Sequence, residues 1–347
     1  MGSWPTGWGL LVPAVAVFVV TCGTIAIMLR FSHKMSHSVP EERSMHLLPI
    51  PSTGGLGISA GILPVALFLD LRALPPVLLL ALVLSLFSAL DDRRPMPALC
   101  RLPVHAGVAV AFLIFYAPEY PARHESILLA LLIVWAINMY NFMDGLDGLA
   151  GGMAVTGFGA CALAGWWQGG HEVALVSLLP AAAALAFLCF NFHPARIFLG
   201  DGGSIPLGFL AASLGLFGWW NGLWPPLFPL LVFSPFLVDS GVTLLKRLIR
   251  REKVWLPHKS HYYQRLARMG LGHRLTTLWY YLLMAAAALS GLLLILFPGY
   301  DFVLALFWSV FYATVLFFVD RKWARHNADA GCSAQSLECG KWDNLPD

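Results

Sequence analysis

The chain has 347 residues, of which 58% are hydrophobic and only 12% charged, and its mean hydropathy is +0.71. A water-soluble domain of this length does not carry so apolar a composition, so the sequence indicates an all-α integral membrane protein that crosses the bilayer many times. The net charge is only +3. Because the basic residues are spread over several loops without a nucleic-acid-binding pattern, we expect no nucleic-acid partner.

Runs of about twenty apolar residues predict the membrane spans. We predict a polytopic bundle of about 11 transmembrane helices, at residues 9–29, 55–71, 74–90, 104–118, 126–142, 152–168, 172–190, 204–220, 224–245, 275–297 and 301–319. No basic segment precedes the first run, and no small-residue cleavage site clearly follows it. We therefore expect a retained helix there and not a signal peptide.

Lysine and arginine fall almost entirely on one side of this bundle. Only Arg72 and Arg123, of the 22 Lys and Arg residues, lie on the other side. Because Lys- and Arg-rich loops stay in the cytoplasm, we expect the N-terminus outside and the C-terminus inside. We predict one transmembrane domain over residues 1–320 and a polar cytoplasmic tail over 321–347 that is disordered in part. The six cysteines form no CxxC pair, so we expect reduced thiols.

The first cytoplasmic connection, from Arg43 to Gly55, combines cations, prolines and a Gly-Gly entry into the second span. Backbone amides at a glycine-rich helix start are suited to binding an anion. Arg43, Gly54 and Gly55 are therefore candidates for contact with an anionic substrate. The alternative is an ordinary Pro/Gly linker.

Two adjacent aspartates, Asp91 and Asp92, end the third span and are followed by Arg93 and Arg94. Neighbouring residues on a helix point about 100° apart, so at most one of the two carboxylates is expected to face a given centre. The other can pair with Arg93 or Arg94.

The stretch from residue 138 to 152, NMYNFMDGLDGLAGG, holds carboxylates and amides but no basic residue. If the fifth helix continues through it, Asn138, Asn141, Asp144 and Asp147 recur every three residues and share one face. Carboxylates near a bilayer are costly unless they are paired, hydrated or metal-bound, so this patch favours a divalent cation or a polar ligand. The alternative is a helix that ends in a Gly/Asp turn.

The fourth cytoplasmic connection, NFHPARIFLGDGGS from Asn191 to Ser204, carries a second acidic, glycine-rich turn. Ser204 followed by Pro206 is a helix-start signal, and the preceding glycines let a phosphate approach backbone amides. Asp201 is well placed to hold Mg²⁺ against that phosphate, because Mg²⁺ uses one or two carboxylates together with phosphate oxygens and water. We expect Mg²⁺, or Mn²⁺ in its place.

The largest cytoplasmic connection, 246–274, contains the segment 257–266, PHKSHYYQRL, which we call the histidine loop. His258 and His261 can bind a metal at this spacing, but with Mg²⁺ as the expected ion a hydrogen bond to phosphate fits better. A basic segment lying on anionic lipid is the competing interpretation, and both can hold. Asp239, in the ninth span, needs a partner or water within the membrane, and we expect a structural role for it, with support of the active-site residues as the alternative.

Five segments resemble, in order and spacing, the polyprenyl-phosphate N-acetylhexosamine-1-phosphate transferases: PSTGG, DD, NMYNFMDGLDGLAGG, NFHPARIFLGDGGS and the histidine loop. The resemblance covers residues 43–266. It implies a bundle of ten or eleven helices in the bacterial inner membrane with a cytoplasmic active site. It also implies transfer of an N-acetylhexosamine 1-phosphate, or a 6-deoxy relative, from a UDP-amino sugar to undecaprenyl phosphate, with release of UMP. The histidine loop looks most like the O-antigen-initiating branch.

The same resemblance implies roles for single residues. Asp91 looks like the group that prepares the lipid phosphate, Asp147 and Asn141 like uridine contacts, and Phe198 like the aromatic residue that stacks on uracil. The implied catalytic set is Asp91, Asp92, Asp144, His258 and His261, and the implied metal ligands are Asp201 and Asp144. The implied substrate-binding set is Asn138, Asn141, Asp147, Asn191, Phe198, Arg43, Gly54 and Gly55.

Two other function classes compete with this interpretation. A secondary transporter of an anionic solute would place ionisable residues near the bilayer midplane in repeated halves, whereas here nearly all carboxylates sit at inner helix ends and no repeat is evident. A non-catalytic scaffold has no reason to gather aspartates on one face. The sequence leaves open the sugar, single or double displacement, and the oligomeric state, a homodimer included.

Overall fold

The computed structural model describes residues 7–31, 37–38, 50–94, 96–117, 123–253 and 258–342. Nearly all of these residues are helical, and a two-residue antiparallel ladder joins β1 (His37–Ser38) to β2 (Ile50–Pro51). The helices are α1 (Gly7–Arg30), α2 (Gly54–Ala66), α3 (Pro75–Arg93), α4 (Ala98–Tyr116), α5 (Arg123–Phe142), α6 (Leu149–Trp167), α7 (His171–Asn191), α8 (Asp201–Trp220), α9 (Leu227–Val232), α10 (Ser234–Ile249), α11 (Tyr262–Leu266), α12 (Gly272–Leu296) and α13 (Asp301–Trp342).

Nine helical segments among the described residues are long and apolar enough to cross a bilayer. This confirms the predicted all-α polytopic fold, but two of the eleven predicted spans differ. The second is the 13-residue helix α2, which ends before the charged connection that holds Asp70 and Arg72. The ninth is divided at Phe233 into α9 and α10, where Pro235 lies in the first turn of the new helix and has no amide hydrogen to continue the old one.

The last helix, α13, continues to Trp342, so the irregular tail that we predict from residue 321 is helical over most of its length. The side chain of Asp320 connects α13 to the rest of the bundle. Arg265 Nη1 lies 2.8 Å from Asp320 Oδ1, Tyr262 donates its hydroxyl to Oδ2 at 3.1 Å, and the Lys246 ammonium also pairs with Oδ2. Asp320 therefore joins α13 to α10 and α11.

The centre of the bundle is formed by α6, α7 and α8, whose residues are mostly buried. Small residues let neighbouring backbones approach closely, as they do in many membrane helix pairs. A Cβ on Gly208 would lie 2.7 Å from the carbonyl oxygen of Ala136, which fixes α8 tightly against α5. The N-terminal end of α8 is thereby held at a defined depth beside the C-terminal end of α5.

Opposite ends of the bundle carry different chemistry. At the end away from the predicted site, Glu172 Oε1 accepts the backbone N–H groups of Arg72, Ala73 and Leu74 at 3.0, 2.8 and 2.8 Å. This carboxylate holds the connection that enters α3. At the other end, the C-terminal ends of α3, α5 and α7 meet the N-terminal ends of α2 and α8, and the acidic connections converge there.

Candidate active site

The PSTGG segment pairs with the chain that leads into α8. Phe198 N–H donates to the carbonyl of Pro51 at 2.7 Å, Gly54 N–H to Phe198 at 2.9 Å, and Gly55 N–H to Leu199 at 2.8 Å. The predicted contact of the Gly54 and Gly55 amides with an anion is therefore wrong, because both amides already donate to the backbone. The two glycines instead provide close packing, and Arg43 lies outside the described residues.

The start of α8 is a tight turn that depends on glycine. Gly200 has φ +71°, and a Cβ there would lie 2.3 Å from the Ser52 carbonyl oxygen. Gly202 N–H donates to Asp92 Oδ2 at 3.3 Å, and the Gly203 and Ser204 N–H groups both donate to the Gly200 carbonyl at 3.0 Å. The expected approach of a phosphate to these amides is not supported, since all three are engaged. The turn instead orients Asp201, the first residue of the helix.

Four aspartates converge at this turn, and we call Asp91, Asp92, Asp144 and Asp201 the acid cluster. Asp92 and Asp144 each interact electrostatically with Asp201, and Asp201 in turn with Asp91. Burial, and then the charges of Asp201 and Asp92, raise the pKa of Asp144 well above its ordinary value. The expectation that only one of the two adjacent aspartates faces the centre is wrong, because both interact with Asp201.

Arg101, in the first turn of α4, bridges two members of the acid cluster. Its Nε lies 3.2 Å from Asp91 Oδ2 and its Nη1 lies 3.3 Å from Asp201 Oδ2. Asp91 is 4% exposed and pairs with Arg101. Sequence reasoning did not single out Arg101, although its place at the inner end of a span next to DD was a usable signal.

The stretch 138–152 does not continue as a helix. α5 ends at Phe142, residues 143–148 form a turn, and Gly148, with φ +76°, precedes α6. Asp144 therefore faces the acid cluster while Asp147 points elsewhere, and the prediction that both share one helical face is wrong. The side-chain amide of Asn138 donates to the Val134 carbonyl at 2.7 Å, so its hydrogen bond lies within α5.

Asn141 is the residue of this stretch that reaches α8. Its side-chain oxygen accepts the Ser204 hydroxyl at 2.8 Å, and its side chain also hydrogen-bonds Asp201. Asn141 therefore orients a carboxylate of the acid cluster, which differs from the uridine contact that the resemblance implied. Because Ser204 lies one turn into α8, this bond also joins the ends of α5 and α8.

Asp147 forms a separate cluster with two histidines. Its carboxylate contacts His193 Nδ1 at 2.6 Å, His273 Nδ1 at 3.3 Å and the Ala195 N–H at 3.2 Å. Burial alone would raise the pKa of Asp147, but the hydrogen bonds from His273 and His193 outweigh it and hold the pKa below its ordinary value. One donor atom from each of the three side chains lies within 4.8 Å of the others, a spacing that could also hold a metal ion.

Neither histidine was singled out from the sequence, although His193 belongs to a quoted motif. Asn191, expected in the nucleotide pocket, is 5% exposed and ties two connections together. Its side-chain oxygen accepts the Gly148 N–H at 2.9 Å and its amide donates to the Ile197 carbonyl at 2.8 Å. Phe198 is half-buried beside this connection, and its stacking on a base stays a prediction.

The histidine loop lies against the end of α5. His261 is 3% exposed, and its ring stacks on Phe142 and Tyr263 with centroid distances of 6.0 and 5.8 Å. The expectation that His261 contacts a phosphate is therefore not supported. His258 lies 4.8 Å from His261 between ring centroids, and its Nδ1 lies 2.8 Å from the Ser260 hydroxyl. Burial, and then the charges of His261 and Arg247, lower the pKa of His258 to about 4, so its imidazole is neutral at neutral pH.

Comparison with known proteins identifies the family. Residues 74–218 match the glycosyl transferase family 4 model. A decaprenyl-phosphate N-acetylglucosaminephosphotransferase of Mycolicibacterium smegmatis is 30% identical over 337 residues, an alignment that covers 83% of this chain and 82% of the relative. The chain belongs to glycosyl transferase family 4. The resemblance to polyprenyl-phosphate hexosamine-phosphate transferases is thereby confirmed.

Other relatives match this chain over similar lengths. A probable undecaprenyl-phosphate N-acetylglucosaminyl 1-phosphate transferase of Bacillus subtilis is 28% identical over 307 residues, covering 82% of this chain and 86% of the relative. An undecaprenyl-phosphate alpha-N-acetylglucosaminyl 1-phosphate transferase of Escherichia coli K12 is 28% identical over 287 residues, covering 75% and 77%. The matched region 74–218 contains the whole acid cluster together with Arg101 and Asp147. Together with the apolar helices, these relatives identify a multi-pass bacterial membrane protein.

Proposed function

We propose that this protein transfers an N-acetylhexosamine 1-phosphate, or a 6-deoxy relative, from a UDP-sugar to undecaprenyl phosphate and releases UMP. The reaction would be the first membrane step in assembling O-antigen or another cell-envelope glycan. The observation that carries the proposal is the acid cluster, in which carboxylates from three separate connections converge at one end of a membrane bundle. The Lys- and Arg-rich connections lie at this end, which supports a cytoplasmic active site.

The acid cluster fits a divalent cation. Four carboxylates repel one another, and Arg101 is the cation in ion-pair contact with them among the described residues. A divalent ion would relieve this repulsion and return the pKa of Asp144 toward its ordinary value. Asp201 and Asp144 would hold Mg²⁺, or Mn²⁺, which would neutralise charge on the diphosphate and on the departing UMP.

Asp91 and Arg101 act as a pair in this proposal. Asp91 Oδ1 accepts the Met96 N–H at 2.6 Å, while its Oδ2 faces the guanidinium of Arg101. Because both carboxylate oxygens are engaged, Asp91 orients Arg101 more readily than it accepts a proton. Arg101 is 35% exposed in its side chain and presents a cation to a phosphate that approaches Asp201.

The attacking group needs little help from a base. A phosphate monoester has its second pKa near about 6, so much of the lipid phosphate is dianionic at neutral pH. The main barrier is the approach of one anion to another, and positive charge together with fixed geometry lowers it. Orientation by Arg101 and Asp91 is therefore the contribution that we assign to these side chains, and the choice of sugar lies in the shape of the donor pocket.

The direct test uses the purified protein in lipid nanodiscs with undecaprenyl phosphate and a panel of labelled UDP-N-acetylhexosamines. We expect UMP release from one or more donors, dependent on the lipid phosphate and on added Mg²⁺ or Mn²⁺. The variant Asp201→Asn should lose activity, whereas Asp70→Asn, at an exposed position on the opposite end, should retain it. Failure of every donor would refute the proposed reaction, and full activity of Asp201→Asn would refute the metal assignment.

A further inference from the structure

A buried carboxylate in α10 holds the histidine loop in place. Asp239 is 3% exposed, and it accepts two consecutive backbone N–H groups at the start of α11. Tyr262 N–H donates to Oδ1 at 2.8 Å, and Tyr263 N–H donates to Oδ2 at 2.9 Å. His261 Nδ1 lies 3.4 Å from Oδ1. Asp239 therefore fixes both the backbone direction of the loop and the position of one of its histidines.

The same short helix reaches the end of α5 through Tyr263. This side chain is 1% exposed, and its hydroxyl donates to the Phe142 carbonyl at 3.0 Å. It also accepts the Gln264 amide at 3.1 Å. The fit is close, since a Cβ on Gly145 would lie 2.1 Å from the Tyr263 hydroxyl oxygen. Phe142 is the last residue of α5, two residues before Asp144 of the acid cluster.

A continuous set of contacts thus runs from Asp239 to the acid cluster. Its steps are the carboxylate of Asp239, the backbone and phenol of Tyr263, the carbonyl of Phe142 and the turn that carries Asp144. His261 lies inside this set because its ring stacks on both Phe142 and Tyr263. Packed side chains transmit displacements because protein interiors leave few voids.

We infer that Asp239 is a positioning residue for the proposed reaction, because it fixes the histidine loop and, through Tyr263, the turn that carries Asp144. The expected effect of Asp239 on turnover rests on the proposed function. Loss of the paired acceptor would free the start of α11, which would shift His261 and the turn at Asp144 together. Such a shift changes the geometry of the reacting groups more than it changes the donor pocket, so kcat falls while KM for the donor changes little.

The test compares matched variants that differ in their place on this path. Asp239→Asn keeps one oxygen but presents an amide N–H₂ to a backbone N–H, so it breaks the double acceptance. Tyr263→Phe removes the hydroxyl on the path. Tyr280→Phe removes a hydroxyl that donates to Asp239 Oδ2 at 2.6 Å from α12, off the path. Both tyrosines are buried, so the two Tyr→Phe changes have similar costs to the fold.

We expect Asp239→Asn to lower kcat at least tenfold and Tyr263→Phe severalfold, with donor KM within threefold of the wild type. Tyr280→Phe should keep kcat within twofold. The double variant Asp239→Asn/Tyr263→Phe should be no slower than Asp239→Asn alone, because both changes break one path. Equal losses of kcat in the two Tyr→Phe variants, or multiplicative losses in the double variant, would overturn the inference.

A second measurement does not depend on turnover. Diethyl pyrocarbonate modification, located by mass spectrometry, reports how accessible each histidine is. We expect His261 to be protected in the wild type and in Asp201→Asn, and to be modified at least tenfold faster in Asp239→Asn. If no donor is turned over but His261 becomes accessible only in Asp239→Asn, the proposed function fails while the positioning of the histidine loop by Asp239 stands. Protection of His261 in Asp239→Asn would overturn the inference that Asp239 fixes the histidine loop.

Discussion

Gly55→Ala places a methyl group where the backbones of α2 and α8 meet. The added Cβ would lie 2.1 Å from Gly203 N and 2.3 Å from Gly203 Cα. Both atoms belong to the first turn of α8, so no side chain can rotate away. Ordinary contact begins at 3.4 Å, so α2 and α8 must separate by about 1.3 Å.

That separation displaces Asp201, two residues before Gly203. A misplacement of about 1 Å at reacting groups can cost about 10²-fold in rate. Overpacking of this kind also costs about 1–3 kcal/mol of stability. We therefore expect Gly55→Ala to lower kcat/KM for UMP release by about 10²-fold and to lower the thermal unfolding midpoint in detergent.

The matched control is Gly107→Ala in α4, where nothing lies within 4 Å of the added Cβ. Replacing glycine by alanine in a helix interior is favourable by up to about 1 kcal/mol, so this variant should keep its activity and its unfolding midpoint. Wild-type activity in Gly55→Ala, or equal losses in both variants, would refute the argument that the contact between α2 and α8 sets the position of Asp201.

Arg101→Gln should lower kcat/KM for UMP release by at least about 10²-fold because a substrate phosphate loses its cationic partner. Arg101→Lys should recover only part of the lost activity, and full activity in Arg101→Gln would contradict the role assigned to Arg101. His258 has a folded pKa of about 4 against 6.5, so between those values the unfolded chain binds a proton that the folded chain does not, and stability falls as pH falls. The stability lost is below about 1.4 kcal/mol per pH unit because the ring is half-exposed. The unfolding midpoint should therefore fall more between pH 7.5 and about pH 5 in the wild type than in His258→Gln, and an equal fall in both proteins would contradict this prediction. Asn191→Ala leaves the Gly148 N–H and the Ile197 carbonyl without their partner, which should cost about 1–3 kcal/mol in chemical unfolding; an unchanged midpoint would show that water replaces the side chain.

Composition and motif order were sufficient for the fold class and the family. Apolar runs find membrane helices because every backbone polar group must be satisfied inside the bilayer. Asp144 and Asp201 were correctly expected to meet, since both follow or begin helices at the same end. Among the residues that the structure describes, Cys22, Cys100, Cys161 and Cys189 are free cysteines.

Side-chain direction was the part that sequence periodicity could not supply. Whether Asp144 and Asp147 share a face depends on where α5 ends, and the last carbonyl of α5 accepts the hydroxyl of Tyr263, which lies more than a hundred residues away in the chain. The roles of Gly54 and Gly55 likewise depend on backbone carbonyls of a distant connection. Local patterns predict that glycine permits a close approach, but not which group makes it.

Charge partners were missed for the same reason. Arg101 was counted only as one cation of an inner loop, although it joins Asp91 to Asp201. His193 and His273 come from different connections and meet only at Asp147. A search for polar residues at the inner ends of all spans, and not only in acidic motifs, would have included Arg101 and His273.

The nucleotide product distinguishes transfer of a sugar 1-phosphate from transfer of the sugar alone. Transfer of a sugar 1-phosphate breaks the bond between the sugar-bearing phosphorus and the oxygen that bridges the two donor phosphates, so the purified protein with undecaprenyl phosphate and a UDP-N-acetylhexosamine should release UMP. The lipid product should carry the mass of a diphosphate-linked N-acetylhexosamine. Release of UDP, with a lipid that keeps a single phosphate, would show that the sugar alone is transferred and would contradict the account.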